Sequence, residues 1–111
     1  MRLRADIFIA ALIRRAQVEG AYATLRRRGA PEAGAIFVRL DRLDGTSALF
    51  GPAPQSEINE DGDRLFQRMH KDEWIDNLAV EDKLRREMDF DPDLWIVDIE
   101  DRKGRDFLKP D

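Results

Sequence analysis

The chain carries one histidine, His70, followed by Lys71, Asp72 and Glu73. Imidazole titrates near neutrality, so His70 is the first candidate for acid–base catalysis or a metal bond. No second ligand stands at helical or turn spacing from it, which makes a poor metal site. A solvated histidine at a strand end is the plainer reading. The second set is the carboxylates Asp89, Asp91, Asp93, Asp98, Glu100 and Asp101. Paired carboxylates hold divalent cations or share a proton. Asp89, Asp91 and Asp93 alternate as in a calcium loop. Pro92 stands where such a loop needs a flexible turn, however, and no glutamate closes it. Asp98 and Glu100 fall on one face of an expected strand and are the remaining metal candidates; a solvated acidic face is their plainer reading. A small hydrolase or cation-binding enzyme using His70 and the C-terminal carboxylates is therefore one functional expectation.

The third set is cationic. Arg14, Arg15, Arg26, Arg27 and Arg28 could grip a phosphate backbone. They form no continuous helical stripe, and no aromatic ladder accompanies them, so nucleic acid is a secondary expectation. Gly51-Pro52-Ala53-Pro54 offers a rigid extended segment, so Pro52 and Pro54 are candidate partner contacts. Trp74 joins them if it proves exposed. The chain lacks a phosphate-cradling glycine loop, a GxSxG elbow and an HExxH helix. Nothing in it calls for a cofactor.

These side chains need a scaffold, and its size is bounded. A chain of 111 residues is expected to form one domain, 1–111, around one core. Its longest apolar run, Ile7 to Ile13, is too short to span a bilayer. Arg14, Arg15 and Glu19 follow that run in place of a cleavage site, so it does not read as a signal peptide. The absence of cysteine fits a reducing cytoplasm. Residues 1–50 hold nine arginines against five acids, and residues 51–111 hold ten cations against eighteen acids. The two halves are expected to lie against each other and partly neutralise.

The element best marked in the sequence is a hairpin over Ala35–Phe50. Two β-rich arms flank Asp44-Gly45, a pair that tolerates the positive φ of a tight turn. Before it, Arg2 to Ala11 reads as a buried strand, because apolar residues fall on both of its faces, although a helix could also begin there, since short apolar runs do not decide. Leu12 to Arg28 reads as a helix with an apolar stripe of Val18, Ala21, Tyr22 and Leu25, capped by Gly29. After it, Gly51, Pro52 and Pro54 stop the strand, and residues 55–63 form an acidic loop. Leu65–Met69 is a short strand. A second helix starts at Asp76 or Asn77 and ends near Asp89, with Leu78, Ala79, Val80, Leu84 and Met88 inward. Leu94–Glu100 is a strand, Lys103-Gly104 a turn, and Phe107-Leu108 a return arm.

Aligning Gly45 with Gly104 sets Ile36, Phe37, Val38 and Leu40 on Trp95, Ile96, Val97 and Ile99. Arg39 then falls opposite Asp98, and Arg42 opposite Asp101. Two β-α-β-β units, 1–52 and 64–110, would give this pattern, and the matched charges could then pair. The expected class is α+β: a mixed, mostly antiparallel sheet of five or six strands with two helices on one face.

Four stretches carry a family resemblance: Ile7–Arg15, Gly34–Arg39, Gly51-Pro52-Ala53-Pro54, and the more specific Phe90–Leu108 (FDPDLWIVDIEDRKGRDFL). On these the chain resembles an uncharacterised bacterial family, domain of unknown function 1491, over nearly its whole length. The resemblance implies a small stand-alone protein and brings no activity, ligand or site residue. The leading expectation is thus a non-enzymatic interaction or regulatory module of the cytoplasm. It would offer a sheet edge or the Pro54–Asp63 segment to a protein partner, with homodimerisation also open.

Overall fold

The computed structural model describes residues 3–32, 34–54 and 64–108. Helix α1 covers Ala5–Val18 and is followed by three strands: β1 (Tyr22–Arg27), β2 (Ile36–Asp41) and β3 (Thr46–Pro52). Two short strands, β4 (Phe66–Arg68) and β5 (Ile75–Asp76), lead into helix α2 (Asn77–Phe90), and β6 (Trp95–Glu100) closes the sheet. The strand order is β1-β6-β2-β3-β4, with β5 also on β3. Every pairing is antiparallel except β2 with β6. The class is therefore the expected one: α+β, two helices and a mixed six-stranded open sheet.

The expected hairpin forms, with Val38 opposite Phe50 and Asp41 opposite Ser47. Its turn differs in detail. Positive φ falls on Leu43 (64°) and Gly45 (92°), not on Asp44. Asp44 instead accepts hydrogen bonds from the Thr46 amide at 3.0 Å and the Thr46 hydroxyl at 2.6 Å. The Asp41 carboxylate accepts the Leu43 amide at 2.7 Å, which holds the left-handed leucine. Strand β3 also runs on through Gly51 to Pro52 rather than stopping before them. A side chain at Gly51 would meet the Phe37 ring at 2.7 Å, so glycine there serves space rather than termination.

The first third of the chain departs from its sequence reading. Residues 5–11 are helix rather than strand, 12–18 are helix as expected, and 22–27 are strand rather than helix. Helix α1 ends at Gly20, whose φ of 88° lets the chain reverse. The Gly20 amide donates to Gln17 O at 3.0 Å and the Ala21 amide to Ala16 O at 3.0 Å. These two bonds are the crossed pair of a Schellman motif. Gly29 caps no helix. It lets the 28–30 backbone lie against Asp93 and Leu94, where a Cβ would collide with main-chain atoms.

The helices lie on opposite faces of the sheet, not on one. Successive strand residues point to opposite sides, and the two cores divide on that alternation. Ala5, Ile9, Leu12 and Ala16 of α1 pack with Ile36, Val38 and Leu40 and with Trp95, Val97 and Ile99. Val80 and Leu84 of α2 pack with Phe37, Leu49 and Ile96. Leu78 lies outside that stripe and is 75% exposed. Asp76 caps α2 as expected, accepting the Leu78 amide at 2.9 Å.

No second hairpin follows β6 among the described residues. Asp101 to Gly104 turns, with the Gly104 amide bonded to Asp101 O at 2.9 Å. Phe107 and Leu108 then pack on the α1 core without joining the sheet. Two β-α-β-β units are thus not formed, because the first helix precedes its strands. The expected alignment survives in another form. Ile36, Phe37, Val38, Arg39 and Leu40 are the parallel partners of Trp95, Ile96, Val97, Asp98 and Ile99.

Candidate interaction surface

His70 sits in the irregular segment between β4 and β5, beside β3. Both of its ring nitrogens are engaged. The Leu49 amide donates to Nε2 at 3.0 Å, and Nδ1 lies 2.6 Å from Asp72 O. An Nδ1–H tautomer satisfies both contacts. The imidazole thus replaces a ladder acceptor that the interrupted edge strand cannot supply. Burial holds its pKa below the usual value, assisted by the nearby positive charges of Arg68 and Lys83. Asp98 and Glu100 are on β6, two strands away across β2 and β3. The structure does not bring the histidine and these carboxylates together. Among the described residues, no group of three His, Cys, Asp or Glu side chains is placed to hold a metal ion.

Asp98 belongs instead to an ionic cluster on the α2 side of the sheet. Arg26 of β1 clasps Glu81 of α2 with two bonds of 2.6 and 2.8 Å. Asp98 lies 3.8 Å from Arg26 and 4.0 Å from Arg39, and Arg39 reaches Asp41 at 3.4 Å. The Arg39–Asp98 pairing suggested by the sequence alignment is therefore present. The Arg26 bonds hold the Glu81 carboxyl below its usual range, while burial pushes Asp98 up against the opposing pull of Arg26 and Arg39. Asp101 does not pair with Arg42; Arg105 holds it at 2.9 Å and keeps its carboxyl low. The cluster fastens β1 to α2. A cavity of about 140 Å³ beside α2 is lined by Leu49, Met69, Lys83, Arg86 and Glu87, without His70 or the β6 carboxylates.

The other predicted contacts are placed as follows. Trp74 is half-buried, not open: Arg42 stacks on its ring at 4.1 Å, and a side chain at Gly104 would meet it at 2.9 Å. Its indole N–H donates to Glu73 at 2.9 Å. It ties the hairpin tip to the turn after β6. Pro52 and Pro54 are exposed, and Pro52 O accepts from Gln67 at 3.2 Å. Residues 55–63, the expected acidic loop, lie outside the described residues. Only Arg14 and Arg15 are on the first helix, and Arg15 donates to Phe107 O. Arg27 donates to Pro92 O at 2.8 Å and Arg28 stacks on Trp95 at 5.5 Å. Four of the five arginines, Arg15, Arg26, Arg27 and Arg28, thus serve separate local contacts.

Among the described residues, the β1 edge and the outer side of α1 differ in how open they are to a partner. The outer edge of the sheet at β1 is blunted: it carries Arg26 and Arg27, breaks register between Leu25 and Arg27, and has Ala23 O covered by Gln17 at 3.4 Å. Helix α1 is not blunted. Ala5, Ile9, Leu12 and Ala16 face the core, and the opposite side carries Ile7, Ala10, Ala11, Arg14 and Val18. Ile7 is 50% exposed and Val18 75% exposed, and Leu3, just before the helix, is 51% exposed. A helix that is apolar on both sides is suited to burial on both sides. Sequence reasoning missed this surface, although the unbroken apolar run Ile7–Ile13 was its signal.

Fold and surface define a small α+β open-sheet protein in which His70 and the Arg26–Glu81 pair hold elements together. The chain belongs to the family described as protein of unknown function (DUF1491), whose model matches residues 3–109. A DUF1491 family protein from Caulobacter crescentus CB15, known from a crystal structure, is 41% identical, with 96% of this chain and 95% of that one covered and a TM-score of 0.81. Protein Atu0922 from A. tumefaciens, known in solution, is 37% identical over 99% of this chain and 98% of that one, with a TM-score of 0.82. No curated protein matches the chain. Among the described residues, no helix is long and apolar enough to cross a membrane.

Proposed function

We propose that the protein is a non-enzymatic interaction module of the bacterial cytoplasm and that the outer side of α1 is its contact surface. The observation that carries this is the second apolar stripe of α1, Ile7, Ala10, Ala11 and Val18, set opposite the stripe that packs on the sheet. Exposed apolar groups gathered on one regular element mark a contact site more than scattered ones do. The engagement of both His70 nitrogens and the pairing of Glu81 with arginine speak against acid–base chemistry at those groups. A cysteine-free chain suits a reducing compartment.

Capture from the source cell with tagged wild type and with Ala11→Glu tests the reading. Ala11 is exposed, so the variant is expected to melt as the wild type does and to lose the bound protein. An unchanged set of bound proteins contradicts it.

A further inference from the structure

We infer that the cavity beside α2 is a binding site for a free α-amino acid with an aliphatic side chain. The site lies across the sheet from α1 and does not depend on the contact surface there. Its lining is of three chemical kinds: Leu49 and Met69 are apolar, Lys83 and Arg86 are cations, and Glu87 is an acid. An α-amino acid carries the complement of all three on one carbon atom.

Each kind is available for a structural reason. Leu49 is buried on β3, and its backbone is already engaged. Its amide donates to His70 Nε2 at 3.0 Å, and its carbonyl accepts the Met69 amide at 2.9 Å. The cavity floor therefore offers apolar side chains rather than open main-chain groups. Lys83, Arg86 and Glu87 stand three and four residues apart, so α2 presents them side by side. A lysine one turn before a glutamate is the weaker order for a helical pair. Among the described residues none of the three forms an ion pair, whereas Arg85 beside them holds Asp82 at 2.7 Å. Lys83 and Glu87 are half-buried, where a charge complement is worth more than in open water.

Charge and size choose the ligand. A simple carboxylate would satisfy Lys83 and Arg86 but be repelled by Glu87. An amine would satisfy Glu87 but be repelled by the two cations. Inorganic phosphate would leave the apolar floor unused and add negative charge beside Glu87. A zwitterion leaves no group opposed: its carboxylate takes the Arg86 fork and Lys83, and its ammonium takes Glu87. The cationic side of the cavity extends towards His70. Burial first, then the charges of Arg68 and Lys83, hold the His70 pKa low, and the charge of Asp72 opposes them more weakly. The volume, about 140 Å³, is close to the roughly 150 Å³ of an apolar cavity that admits benzene, which suits a branched aliphatic side chain.

NMR titration of the full chain with L-leucine tests this. Isocaproate, which lacks the ammonium, and isoamylamine, which lacks the carboxylate, are the controls. L-leucine is expected to shift the amides of Leu49, Met69 and residues 83–87 saturably, with a dissociation constant on the order of 1 mM. Each control is expected to bind about tenfold more weakly or worse, having lost one charge-assisted contact. Glu87→Gln is expected to weaken L-leucine and to strengthen isocaproate, so that the preference between them closes. A merely structural glutamate would weaken both together. Lys83→Met is expected to weaken both carboxylates. The absence of saturable shifts up to about 50 mM L-leucine overturns the proposal. So does either control binding as tightly as L-leucine, or shifts confined to residues outside the lining. If a variant fails to fold, the three compounds compared on the wild type decide the matter by themselves.

Discussion

His70 is tied to the fold by two backbone contacts, and this gives it a measurable signature. Nε2 accepts the Leu49 amide and cannot do so once protonated. Burial lowers its folded pKa below the 6.5 of a free imidazole. Between that lowered pKa and 6.5 the unfolded chain binds more protons than the folded one, so stability rises with pH across the window and levels above it. His70→Ala is expected to remove this slope and to cost about 1–3 kcal/mol at neutral pH, because the Leu49 amide loses its acceptor. Denaturant unfolding at a series of pH values checks both effects; a slope that persists in the variant assigns it elsewhere. The sequence showed that His70 lacked ligating neighbours. It could not show that a break between two short strands would leave an amide for the ring to satisfy. Asp98 presents the same contrast. Its alignment with Arg39 was legible, because both follow equivalent apolar positions, but their adjacency depended on β2 and β6 pairing in parallel.

At the level of elements, the hairpin and α2 were legible because each carries its own boundary chemistry. Gly45 supplies a left-handed residue, and Asp76 supplies the acceptor for the first turn of α2. Helix α1 was not legible, for a physical reason. Residues 7–13 are apolar whichever way they are read, so no period of 3.6 emerges and a buried strand explains them equally well. Ala21, just before β1, and Ala23, on it, are buried but too small to announce an alternating pattern, and Gly20 falls inside the expected Leu12–Arg28 helix. In the structure Gly20 ends the helix with a φ of 88°. Gly20→Ala is therefore expected to destabilise the protein by about 1–2 kcal/mol, the cost of a left-handed non-glycine residue. In a mid-helix position the same change would stabilise it by up to about 1 kcal/mol. The sign of the change in melting temperature thus decides where α1 ends.

For the molecule as a whole, placing the helices on opposite faces changes which surfaces remain open. The α2 side of the sheet is closed by a core around Phe37, Leu49 and Ile96 and by the Arg26, Arg39, Glu81 and Asp98 cluster beside it. The α1 side is closed by α1 itself, whose outer surface then faces solvent. The two-faced hydrophobicity that hid α1 in the sequence is the property on which its proposed contact role rests. Among the described residues, the acids of the second half include Glu81, Asp82, Glu87 and Asp89 on α2 and Asp91, Asp93 and Asp101 in the turns around β6. Family membership fixes the architecture shared with the Caulobacter and Agrobacterium proteins and leaves the function to the surface.

That surface can be interrogated in place. A photoreactive side chain is introduced at Ala11 on α1 or at Asp89 on α2, two exposed helical positions on opposite sides of the sheet. After illumination in the source cell, the protein labelled at 11 is expected to appear as a discrete larger adduct and the protein labelled at 89 to remain at monomer size. Adducts formed equally from both positions, or from 89 alone, would contradict the assignment of α1 as the contact surface.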